Sequence, residues 1–149
     1  MHTHPAHPHP PRSPTPTPLD HTHNTTHHMH ACLHNAELFL ALHQPAKALQ
    51  ALLVLSQAQR EDVFKQLDTL RTAEDICRSH FGSLSTTMLT IVKQVGELLE
   101  TKVNNQEAAV LYYRQWHQVA VAMFGEEHAQ SRVAGCRVEE LSAQPLPKV

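Results

Sequence analysis

Glycine is scarce in this chain. Four glycines among 149 residues leave no loop rich enough in free backbone N–H groups to cradle a phosphate, so nothing points to nucleotide chemistry. Cysteine is nearly as rare. The three present, Cys32, Cys77 and Cys136, are odd in number and far apart, which suits reduced thiols packed as small apolar residues rather than a disulfide framework or a zinc finger. No apolar run approaches the roughly 18 residues that span a bilayer, and the N-terminus lacks the apolar stretch of a secretory signal, so a cytoplasmic location is expected. On that reading the Asn24-Thr25-Thr26 sequon is incidental. Charge is also thin: the net value is -2 and the isoelectric point near 6.7. That gives no basic footprint for nucleic acid, and neither nucleic acid nor membrane is expected as a partner.

What is present is unevenly spread. Eleven of the 14 histidines lie in residues 1–43 and seven of the ten prolines in residues 5–18. Residues 1–25 alternate His, Pro and Thr with almost no aliphatic side chains. Ordering them costs about 1–2 kcal/mol of backbone entropy per residue with nothing buried in return, so they are read as a disordered arm. About 120 residues remain, enough for a modest helical core. The expected layout is an arm at 1–25, a helical domain at 26–143 and a flexible tail at 144–149.

Apolar spacing of three and four predicts a helix from His27 to Leu42, broken at His43-Gln44-Pro45. From Pro45 to Phe81 there is no further Pro and no Gly. Residues 46–81 read as one long helix or as two with a kink, the single helix being preferred, with weak points at Gln57, Gln59 and Arg60-Glu61-Asp62. Gly82 is the expected helix-ending residue and Ser83 or Ser85 the cap of the next helix, Leu84 to Thr101. Asn104-Asn105 turns the chain into Glu107 to Met123. Gly125 closes that helix, and a last one is expected from His128 to Leu141.

An internal echo overlies this pattern. Phe81-Gly82 recurs as Phe124-Gly125, and Val95, Glu97 and Leu98 recur as Val138, Glu140 and Leu141, all at an offset of 43 residues. A repeat of that length in helical sequence points to stacked hairpins. Within Leu84–Phe124, Gly96 and Ala108 stand on either side of the turn, with Val92, Val95 and Tyr112 around them; Ala36 and Ala48 repeat the arrangement, with Phe39 and Leu52 as large partners. This pattern resembles the tetratricopeptide repeat, in which small residues at these positions let two helices approach. The 43-residue period and the Ala-rich second helix running into Phe-Gly-Glu-Glu-His at 124–128 are similar to the long repeats of kinesin light chains. The helical C-terminal region of SET and MYND domain lysine methyltransferases has a similar layout. The chain departs from the family at Gln115, where a small residue is usual, and in lacking a closing proline. The implied fold is all-α, antiparallel helical hairpins stacked as a short tetratricopeptide-like solenoid.

The chemistry of single residues points to no catalytic set. Cys77 and His80 share a helical spacing, but a reactive thiol needs a fixed base and an electropositive setting; Cys32 and Cys136 read as core. Glu97, Glu100, Glu126 and Glu127 are expected on outer faces with no paired acid and base. The arm's histidines, and the pairs His27/His30 and His30/His34, are metal-ligand types without fixed geometry, so no metal or cofactor is expected. Methyltransferase motifs are absent. The expectation is a non-enzymatic scaffold that binds a protein or peptide. A helical fragment of a SET and MYND methyltransferase and a His-rich metal-binding protein are the alternatives. In tetratricopeptide-like arrays the first helix of each unit lines the binding face, which implies Thr90, Lys93 and Glu97, with Val133, Cys136 and Glu140 from the last helix and Arg137 at the rim. Tyr112 and Trp116 are expected in the core and Tyr113 and Arg114 on the outside, open to a partner.

Overall fold

A computed structural model describes residue 11 and residues 19–145. Six helices follow one another: α1 (Leu19–Ala41), α2 (Pro45–Ala58), α3 (Val63–Phe81), α4 (Thr86–Thr101), α5 (Gln106–Phe124) and α6 (Ala129–Ala143). Among the described residues there is no strand. The connections, 42–44, 59–62, 82–85, 102–105 and 125–128, are three or four residues long, short enough to keep consecutive helices adjacent. Close backbone approach among the described residues is confined to consecutive pairs, from α1 on α2 through to α5 on α6, and side chains bridge some of the others.

Local chemistry explains each boundary. Pro45 occupies the first turn of α2, where a missing N–H costs no hydrogen bond. Asp62, Ser85 and Asn105 cap α3, α4 and α5, their side chains accepting from the N–H groups of Lys65, Met88 and Ala108 at 3.1 Å each. Such caps contribute about 1 kcal/mol apiece. Gly82 and Gly125 end α3 and α5 at φ of 79° and 89°, in the left-handed region that a Cβ disfavours. The 43-residue echo is therefore a repeated helix stop, and it maps the α3–α4 junction onto the α5–α6 junction.

The core runs along the middle of the chain. Met88, Ile91, Val92 and Val95 of α4 are fully buried, joined by Leu70 and Cys77 of α3 and by Ala109, Tyr113 and Ala120 of α5. Each large aliphatic side chain so placed contributes about 1.5–3 kcal/mol of burial. Ala36 of α1 and Ala48 of α2 are both buried, and the two helices pack on each other.

Three expectations are corrected. Residues 46–81 are two helices, because Gln59-Arg60-Glu61-Asp62 leaves the helical path. The Gln59 amide N–H closes the end of α2 on Leu55 O, and the Asp62 carboxylate starts α3. The Gln59 side chain is held in turn by the Thr69 hydroxyl at 2.7 Å. Second, helix α1 begins at Leu19, inside the stretch assigned to the arm. Pro18 is the last proline of its run, and nothing after it breaks a helix until His43. Residues 1–10 and 12–18 of the expected arm, and 146–149 of the expected tail, lie outside the described residues. Third, Cys136 is exposed while Cys32 and Cys77 are buried; α6 turns Ala134 and Leu141 inward, which leaves Cys136 on the outer side.

Candidate functional site

The helix α5 organises its neighbours through two adjacent tyrosines. Its buried stripe includes Ala109, Tyr113, Trp116 and Ala120; Trp116 lies in the core as expected, but ahead of it the stripe runs through Ala109 and Tyr113, one residue on from Ala108 and Tyr112. That shift turns the helix by about 100°, and it corrects the expectation for Tyr113, whose ring is 2% exposed. The ring lies against Gly96, where an added Cβ would stand 2.9 Å from Cε1. Tyr113 Oη donates to Glu100 Oε2 at 2.8 Å. Glu100, expected on an outer face, also pairs with Arg137 of α6, which reaches Glu140 at 2.9 Å. Burial, reinforced by the hydrogen bond to Glu100, pushes the Tyr113 phenol well above its ordinary value.

Tyr112 turns the other way. It is half-buried, and its hydroxyl donates to Glu74 Oε2 of α3 at 3.3 Å. Glu74 is buried and also accepts from Arg78 Nη2 at 2.6 Å and from Gln115 Nε2 at 3.5 Å. Burial first and the Glu74 charge second raise the Tyr112 phenol too. Two glutamates thus tie helices that are not consecutive, Glu74 joining α3 to α5 and Glu100 joining α4 to α6.

A cleft of about 440 Å³ opens between α4 and α6. Thr90, Lys93 and Glu97 of α4 face Gln130 and Val133 of α6 across it, with Trp116 of α5 among the lining residues. Lys93 Nζ stands 5.4 Å from the centroid of the Trp116 ring and 3.8 Å from Glu97 Oε1. Lysine and glutamate are both about half exposed, so their attraction is largely screened and either is free to exchange partners. The Trp116 indole Nε1 is buried and has no hydrogen-bond partner among the described residues, a rare condition for a buried donor. Chemically, the cleft offers one charge of each sign, a hydroxyl and amides above a buried indole.

Of the residues expected at a binding face, Thr90, Lys93, Glu97 and Val133 come together here. Arg137 and Glu140 are instead engaged with Glu100 and with each other. Cys136 is exposed but does not line this cleft. Arg114 is exposed, as expected, and lines a different cleft between α3 and α5. Gln94 and Gln130, which sequence reading passed over, line the cleft beside Lys93; single glutamines in helical sequence carry no signal of this. Because α2 is a separate helix, it flanks α4 as α6 does. Leu49 and Leu53 face Thr87 across one cleft, and Gln57 and Arg60 face Gln94 and Glu97 across another.

Catalytic geometry is not assembled around Cys77, while Cys32 Sγ lies 3.8 Å from His28 Nε2 one helical turn away. Cys77 Sγ is fully buried and lies 3.4 Å from Ser85 Oγ, whereas His80 is exposed. Among the described residues no group of three or more His, Cys, Asp or Glu is placed to hold a metal ion, and no helix is long and apolar enough to cross a membrane. Comparison with protein-family models gave no match, and no curated protein or solved structure matches the chain.

Proposed function

We propose that this chain is a non-enzymatic interaction module of the tetratricopeptide-like type, a short solenoid of helical hairpins that takes up a segment of a cytoplasmic protein in the cleft between α4 and α6. The observation that carries the reading is the meeting of Thr90, Lys93 and Glu97 with Gln130 and Val133 beside Trp116. Amide and hydroxyl groups suit peptide N–H and C=O groups, and Trp116, 4% exposed, gives the cleft a fixed apolar floor. The balanced charges of Lys93 and Glu97 favour a segment without strong net charge. The repeat of the α3–α4 junction at α5–α6 supports the assignment to helical hairpins. The test is affinity capture from cell extract, read by mass spectrometry, with the wild-type chain beside the double variant Lys93→Glu, Glu97→Lys. A protein retained by the first and lost by the second, at equal helical content, supports the cleft. Identical captured sets place the interface elsewhere.

A further inference from the structure

A second cleft, of about 620 Å³, lies between α3 and α5 and differs in kind. Arg78 lines it from α3, Leu84 from the 82–85 connection, and Leu111, Arg114 and Gln118 from α5. Its charged lining residues are all basic. The α4–α6 cleft opposes Lys93 to Glu97, the polar α2–α4 cleft opposes Arg60 to Glu97, and the cleft beside α1 sets Arg60 and Lys65 against Glu61 and Asp62. The nearest buried acid, Glu74, is already hydrogen-bonded to Arg78, Tyr112 and Gln115. Arg78 offers it Nη2 alone, so the remaining donors of a half-exposed guanidinium stay available. Arg114 is exposed and makes no ion pair among the described residues. Two leucines complete the surface: Leu84 is 58% exposed and Leu111 59% exposed, unusual for side chains that sit together at one opening.

We propose that the α3–α5 cleft docks an acidic, leucine-bearing segment of another protein, its carboxylates meeting Arg78 and Arg114 and its apolar side chain seated between Leu84 and Leu111. Arginine forks hold carboxylates by charge-assisted hydrogen bonds with defined geometry. The leucines add apolar area that an ion alone does not use, which selects a peptide over a free anion. This surface is separate from the α4–α6 cleft, so the two stand or fall independently.

The experiment measures fluorescence anisotropy of the full chain with three short labelled peptides that carry two leucines one helical turn apart, separated by glutamate, glutamine or lysine. The glutamate peptide binds best and weakens as salt rises. Arg114→Glu lowers its affinity by about tenfold or more, Leu111→Ser lowers it too, and Lys93→Glu leaves it unchanged. Arg114 and Leu111 are exposed, so these variants keep the fold, checked by circular dichroism. Equal binding of the glutamate and glutamine peptides overturns the proposal. So does an affinity that Arg114→Glu does not alter, or one that Lys93→Glu removes.

Discussion

Gly96 and Tyr113 are matched in size across the α4–α5 interface: the glycine leaves room for a ring edge that a methyl group would meet at 2.9 Å. The ring is held from its other end by the bond to Glu100, so it has little freedom to retreat. An exchange of Gly96→Ala sets a gain of about 1 kcal/mol in helix propensity against overpacking of about 1–3 kcal/mol. The expected outcome is a net loss in urea denaturation. In a Tyr113→Leu background the clash is gone, and the same exchange stabilises by about 1 kcal/mol. Equal effects in both backgrounds would remove the ring from this contact.

The one-residue register of α5 gives a second test. Ala109 is fully buried while Ala108 is half-buried. Ala109→Leu is expected to cost about 1–3 kcal/mol through overpacking, and Ala108→Leu clearly less. Melting midpoints of the two variants decide it; the reverse order would restore the stripe through Ala108 and Tyr112.

Alkaline stability follows from the two tyrosines. Both phenols are raised by burial and by a neighbouring glutamate, so the native state keeps protons that the unfolded chain releases near pH 10. Their contribution is complete below that value and is lost as pH climbs above it towards the native-state values. Tyr113→Phe should lower stability near neutrality by about 1 kcal/mol for the lost hydrogen bond, and should flatten the decline above pH 10. Parallel urea curves across that range check both parts. A wild type and variant with the same alkaline slope would show that Tyr113 ionises freely.

The helical class and most helix ends were legible in the sequence because they depend on local signals. Pro45, Ser85, Gly82 and Gly125 act through their own backbone and the next turn, whatever the rest of the chain does. The break at 59–62 was harder to read, since neither Gly nor Pro marks it. Asp62 was its usable sign, a carboxylate with a helical stripe beginning at Val63. Facing is a subtler matter than helicity. Tyr112 and Tyr113 are chemically alike, and only the positions of Gly96, Glu100 and Glu74 on neighbouring helices decide which is buried. The α4–α6 cleft was legible as far as Thr90, Lys93, Glu97 and Val133, through the echo and the family resemblance. Gln130 and Trp116 join it by tertiary placement. Arg137 sits with Glu100 because α6 passes beside α4, a fact that no single helix encodes.

Close backbone approach restricted to consecutive helices also sets how the molecule comes apart. Removing α1 or α6 sacrifices one helix-to-helix interface, whereas releasing α3 or α4 sacrifices two. Opening should therefore start at the ends and travel inward, with amide exchange slowest around Val92 and Val95. The ties from Glu74 and Glu100 each reach past one helix to the next but one, so loss of α6 is also felt at Tyr113 through Glu100 and Arg137. A molecule built this way has a graded resistance to unfolding along its length, and an occupant spanning α4 and α6 would stiffen one of the two ends at which opening starts.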